Sequence, residues 1–229
     1  MTLKLRWRGC RFALMKKRLL PVALLIFALY VWAGLPPAMA LTEDMDLTEE
    51  EAAAASKAEA YLNAITTMQA RFLQVNPDGS TFEGDLYISR PGKMRLVYDP
   101  PTPMLMIADG AFLIYIDTEM NDTTHINLNE TPAGIILKNN LSFSDPDVSL
   151  GSVTLGASTT EITTSMAKDT AAGTLTLVFS EAPFELRQWR VYDAQRKEVA
   201  VTLFNARYGV NLDSALFRYD VRRSGGERD

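Results

Sequence analysis

The sequence predicts a mainly β domain carrying helices (α+β): one sheet, a long first helix, and a short helix interrupting the strands. Three observations predict it. A helix-start signature precedes an alanine-rich run near residue 50. From Ala70 onward apolar residues recur at alternate positions between turn sequences. After Thr131 the alternation gives way to a proline-led helical stretch before strands resume.

The first 40 residues stand apart. Lys4, Arg6, Arg8, Arg11, Lys16, Lys17 and Arg18 form a basic head without an acid. An apolar run from Leu19 to Leu35 follows, and then the small-residue pattern Ala38-Met39-Ala40. This is the organisation of a secretory signal peptide cleaved after Ala40, with Met15 as an alternative start. An uncleaved anchor is the competing reading, but a run of 17 residues falls short of the roughly 20 that a span needs. Cys10, the only cysteine, lies in this segment, so cleavage leaves no thiol for a disulfide, a nucleophile or a metal. Cleavage also takes Lys plus Arg from 23 to 16 against 28 Asp plus Glu, a formal charge of −12. That balance argues against nucleic acid as a partner, because phosphate binding needs a basic face. The remaining 189 residues, 41–229, suit a single domain.

The elements follow in order. Leu41 to Leu47 reads as a leader. Thr48 with Glu51 forms a capping box, and the run Ala52 to Ala60 favours helix. Tyr61, Ile65 and Met68 then fall at i, i+4 and i+7, which extends an amphipathic stripe to Met68. Strands are expected near 68–75, 81–90, 93–99, 103–109, 111–117 and 123–128. Asn76-Pro77-Asp78-Gly79 marks one turn, and Asp109-Gly110 marks a tight hairpin. Pro100, Pro101 and Pro103 break the connection between them and point to a sheet edge. A short helix is expected from Thr131-Pro132 to Lys138, and irregular chain from Asn139 to Ser158. Further strands are expected near 160–167, 174–180, 186–193, 198–206 and 215–222.

Arg90 is the residue this pattern leaves unexplained. Side chains two apart share one face of a strand. Phe82, Gly84, Leu86, Ile88 and Arg90 therefore point the same way, which sets a guanidinium at the end of an apolar face. Such a group is costly to bury without hydrogen-bond partners. Met94, Met104, Met106, Phe112, Ile114, Tyr115, Leu186 and Trp189 also fall in expected strands, and methionine adapts to irregular apolar partners. They suit either a plain core or a fillable cavity beneath a lid.

Catalytic chemistry is not signalled. His125 is the only histidine, and no G-x-S-x-G elbow, phosphate loop or dinucleotide fingerprint occurs. Asp117, Glu119, Asn121 and Asp122 resemble the start of a calcium loop, but Asp122 stands where glycine is needed and Leu128 where glutamate is. Asp145 and Asp147 flank a proline and read as a turn. No enzymatic activity, metal or cofactor is expected.

Several short motifs stand in a consistent order: Phe72-x-Gln74, Gly84-x-Leu86, Arg90-Pro91-Gly92-Lys93-Met94, Pro101 before Asp109-Gly110, and Tyr115 two residues after Leu113. Leu186-x-x-Trp189-x-Val191-x-Asp193 and Leu216-Phe217-Arg218-Tyr219 follow. Together they resemble the periplasmic outer-membrane lipoprotein carrier family, the LolA-type chaperones, over residues 55 to 222. The resemblance implies an incomplete, curved antiparallel β-barrel with helices lidding its concave apolar face. It implies a periplasmic carrier whose cargo is the acyl chains of lipoproteins. The implied partners are an ABC-type lipoprotein exporter in the inner membrane and an acceptor at the outer membrane, and a shuttle of this kind is expected to be monomeric. Arg90 would hold the lid through backbone carbonyls. The implied cavity and lid comprise Arg90, Pro91, Phe72, Leu86, Ile88, Met94, Leu96, Met104, Met106, Tyr115, Ile136 and Trp189.

The sequence also departs from that family. Met94 and Leu96 stand where an aromatic residue is frequent, and the stretch Asp220 to Gly226 lacks the family's proline-rich last strand. These departures keep a second reading open, a related periplasmic lipid- or glycolipid-binding or sensing protein.

Overall fold

The computed structural model describes residues 46–168, 173–192, 195 and 197–219. The expected signal sequence, its cleavage site at Ala40, and Cys10 lie outside the described residues. Helix α1 spans Glu49–Ala64. Strands β1 (Thr67–Val75), β2 (Thr81–Ser89), β3 (Lys93–Tyr98), β4 (Met104–Asp109), β5 (Phe112–Asp117) and β6 (Asp122–Asn127) follow as a meander. A 3-10 turn, Leu128–Glu130, leads into helix α2 (Pro132–Ile136). Strands β7 (Val148–Leu155), β8 (Thr159–Met166), β9 (Thr174–Glu181), β10 (Phe184–Tyr192) and β11 (Glu198–Tyr208) complete the sheet.

All eleven strands belong to one antiparallel sheet in the order β6-β5-β4-β3-β2-β1-β11-β10-β9-β8-β7. The sheet does not close: β6 and β7 are its two edges, and the chain joining them carries α2. It is nevertheless strongly curved. Tyr115 on β5 and Leu175 on β9 lie seven strand intervals apart, roughly 34 Å in a flat sheet. Both line a single cavity, so the sheet wraps around it.

Alternation assigns the two faces. On β1, Met68, Ala70 and Phe72 are buried and pair across to Ile88, Leu86 and Gly84 of β2. Met68, Phe72, Leu86 and Ile88 join Ala55, Ala58 and Leu62 of α1 and Ile135 and Ile136 of α2 in the main core. A second, small core of Ile107, Ile114 and Ile116 lies on the opposite face of β4 and β5, with Tyr219 against it.

Helix α1 begins at the expected capping box: Thr48 Oγ1 accepts from the Glu51 amide, and the Thr48 amide donates to Glu51 Oε2 at 2.8 Å. The stripe expected to run on to Met68 ends sooner. The helix stops at Ala64, Ile65 is extended at its C-cap, and Met68 lies in β1. The β-branched run Ile65-Thr66-Thr67 favours extended backbone there. Helix α1 is pinned to β9–β11. Lys57 Nζ meets Glu181 at 2.8 Å and lies 4.0 Å from the Phe184 ring centre, and the Tyr61 and Tyr208 hydroxyls are 2.7 Å apart.

Three further expectations are corrected. The region 139–158, read as irregular, contains β7; its bulge near Gly151 and its many serines and threonines broke the apolar alternation. The strand expected at 215–222 is instead a 3-10 turn at Ser214–Phe217, lying against β3 and β4, with residues beyond 219 outside the described set. Strand β4, which follows the prolines, is interior to the sheet rather than at its edge. The calcium-like segment is a hairpin turn in which Asp117 Oδ1 accepts from the Glu119 and Met120 amides.

Candidate functional site

A cavity of about 420 Å³ opens on the inner face of the sheet. Met94, Leu96, Met104, Met106 and Tyr115 line one wall, Trp189, Val191, Val199 and Val201 the other, and Pro132, Ala133 and Ile136 of α2 cover it. Strand pleating explains the set: Leu96, Met106 and Tyr115 are successive cross-strand partners, so their side chains form one inward row.

The polar residues of the lining are Gln74, Tyr98, Tyr115, Glu130 and Thr131. Tyr98 donates its hydroxyl hydrogen to Gln74 Oε1 at 2.7 Å. Burial, with Tyr115 nearby, pushes the Tyr98 phenol up to about 12. Burial likewise raises Tyr115. Both stay neutral and protonated around neutral pH, as an apolar cavity requires.

Arg90 lies at the C-terminal end of α2, while Pro132 and Ala133 cover the cavity from its N-terminal end. Its Nε donates to the Lys138 carbonyl at 3.0 Å, as does one terminal nitrogen. The other terminal nitrogen donates to the Leu62 carbonyl at the end of α1. The Gly92 amide donates to Leu137 O at 2.9 Å. The turn that begins at Arg90 thus supplies donors to carbonyls at and just beyond the C-terminal ends of both helices. Among the described residues no carboxylate forms an ion pair with Arg90, and burial lowers its pKa. Its partners are the uncharged oxygens of Leu62, Lys138 and the Asn63 side chain.

Of the residues singled out from the sequence, Met94, Leu96, Met104, Met106, Tyr115, Ile136 and Trp189 come together around the cavity. Phe72 and Leu86 do not line it. They are fully buried in the main core, Phe72 edge-on to Tyr98, and Ile88 borders a small recess beside Arg90. Pro91 belongs to the turn after β2. Sequence reasoning missed Gln74, Tyr98, Leu113, Ile126 and the valines of β10 and β11. Alternation could have found Tyr98, two residues beyond Leu96 on the same face. The same alternation relates Val191 to Trp189 and Val199 to Val201, but which strands face one another across the cavity is not local information.

The fold and site define a class: an open antiparallel half-barrel that encloses an apolar cavity beneath a short helix. Within that class the chain belongs to the LolA family, the outer membrane lipoprotein carrier proteins, whose family model matches residues 63–220. It is similar to outer-membrane lipoprotein carrier proteins of Pseudomonas paraeruginosa and Pseudomonas aeruginosa, with 25% identity over 181 residues, 75% of this chain and 86% of each relative. Among solved structures, a LolA superfamily protein from Nitrosomonas europaea matches at 9% identity and a TM-score of 0.45, covering 74% of this chain and 97% of that one. Among the described residues no helix is long and apolar enough to cross a membrane.

Proposed function

We propose that this protein is a periplasmic carrier that binds the acyl chains of lipoproteins in its cavity and hands them on towards the outer membrane. The observation that carries the reading is the apolar cavity of about 420 Å³ beneath α2, in a chain of the lipoprotein carrier family. Burial contributes about 0.8 kcal/mol per CH₂. Displacing α2 and loosening the hydrogen bonds of Arg90 oppose that gain. The balance keeps affinity moderate, which a carrier that must release its cargo requires.

On this reading Arg90 is a latch. Its planar fork holds the carbonyls of Leu62 and Lys138 while the cavity is empty, and water takes over those carbonyls when cargo displaces the lid. The inner-membrane exporter and the outer-membrane acceptor are the partners such a cycle needs. The test is mass spectrometry of molecules co-purifying with the protein from the periplasm. Acylated N-terminal cysteine peptides are the expected finding. Free phospholipid or glycolipid alone would make it a lipid-binding relative instead.

A further inference from the structure

Asn63 occupies a position in this network that the latch alone does not explain. Its side-chain amide forms two hydrogen bonds with one residue of the chain that follows α2. Nδ2 donates to the Leu141 carbonyl at 2.8 Å, and Oδ1 accepts from the Leu141 amide at 2.8 Å. The same Oδ1 accepts from Arg90 at 3.3 Å. Only this orientation of the amide works, because the reverse would set an NH₂ group against two donors. One turn back on α1, Glu59 Oε1 accepts from the Phe143 amide and the Ser142 hydroxyl. Residues i and i+4 of a helix share a face, so Glu59 and Asn63 together hold segment 141–143 along α1.

The bonding pattern makes α1 and the segment after α2 a single body. Arg90 reaches that body at three points: Leu62 O, Asn63 Oδ1 and Lys138 O. Helix α1 is itself fixed to β9–β11 through Lys57 and Tyr61. Segment 141–143 is therefore anchored to α1, whereas α2 makes no such side-chain bond to that helix among the described residues and is the part left to move. At the N-terminal side of α2 the tether among the described residues is a single backbone bond, Leu128 N–H to Ala111 O at 2.9 Å; Thr131 makes no side-chain cap, and its hydroxyl donates back to Leu128 O.

We propose that Asn63 is a positioning residue that fixes Lys138–Leu141 as the stationary base of the lid. Arg90 then grips a fixed point, and opening is confined to α2. This deepens the carrier reading and rests on it. Removing the Asn63 amide lets the 138–141 backbone drift, so the Lys138 carbonyl no longer stays where Arg90 needs it. Asn63 and Arg90 then act as one unit, and their effects on cargo exchange are not additive.

The experiment uses full-length chains expressed and purified from the periplasm: wild type, Asn63→Ala, Arg90→Leu and the double variant. The probe is a fluorescent triacylated cysteinyl lipopeptide in detergent-free buffer. The expected result is that Asn63→Ala speeds uptake and release on the order of tenfold, equivalent to 1.4 kcal/mol. The double variant should be no faster than Arg90→Leu alone. A double variant whose acceleration is the product of the two single effects overturns the proposal, as does an Asn63→Ala exchange rate equal to wild type. Amide hydrogen exchange without ligand gives the second readout. Faster exchange confined to Leu141 and the α2 end in Asn63→Ala is expected, whereas faster exchange across the β1–β2 core would show general destabilisation and overturn the positioning role. A wild-type protein that takes up no lipopeptide counts against the carrier reading, and the amide readout still decides the coupling.

Discussion

The ring of Phe72 occupies the space that a side chain at Gly84 would need. A Cβ at Gly84 would lie 2.7 Å from the Phe72 ring and 2.1 Å from the Val97 carbonyl oxygen. The two residues are cross-strand partners in β1 and β2, and the Phe72 ring also meets Tyr98 edge-on at 5.2 Å. Gly84→Ala forces the β2–β3 backbone apart. It should destabilise the protein by about 1–3 kcal/mol, read as a lower urea midpoint at unchanged m-value. An unchanged midpoint would mean the sheet relaxes freely there.

Val201→Phe should narrow the cavity, because Val201, a buried core residue, also lines its wall. Excluding two CH₂ groups of a ligand forfeits about 1.6 kcal/mol, more than tenfold in affinity. Titration with the lipopeptide checks this, and equal affinity would place the acyl chains elsewhere.

Trp189 is the one tryptophan beyond residue 40, and it lines the cavity. Its emission should shift when lipopeptide fills the site in the processed protein. Emission that stays constant through saturation would rule out this cavity as the binding site.

Arg90→Lys should behave like Arg90→Leu rather than like wild type. A lysine has one ammonium and cannot span the Leu62 and Lys138 carbonyls as the guanidinium fork does. Both variants should fold and both should exchange cargo abnormally; wild-type exchange kinetics in Arg90→Lys would reduce the latch to a simple positive charge.

Acid should loosen the anchoring of both α1 and the post-α2 segment. The hydrogen bond from Lys138, with help from the Asp147 amide, holds the Asp145 carboxyl below its ordinary value. Lys57 and then Thr160 do the same for Glu181. A carboxylate whose pKa is depressed by folding stabilises the native state above its unfolded pKa and loses that contribution as pH falls through the folded value. Stability should therefore be level down to about pH 4.5 and decline below it. Urea midpoints from pH 7 to pH 3 provide the check, and Asp145→Asn should flatten the decline.

Much of this protein was legible in its residues. The capping box at Thr48 and Glu51, the Asp109-Gly110 hairpin, the proline-led α2 and the period-two strands each rest on a local rule, and local rules act within a few residues. Arg90 was legible as a misfit, a charge at the end of an apolar row. Strand β7 was not, because an exposed, bulged edge strand shows no alternation. Nor was the hairpin-like pairing of the Asn63 side chain with Leu141, 78 residues away.

The sequence by itself determined which face of each strand is apolar, since alternation is a property of the extended chain. It did not determine which of those apolar side chains would meet across the curved sheet. Phe72, Leu86 and Met94 share one periodicity, yet the first two are packed solid and the third borders the cavity. The wrapping of the sheet decided that difference. Phe72 is filled in against Tyr98 and against Gly84, its partner without a side chain, whereas Met94 faces the space that α2 covers between β3–β5 and β10–β11.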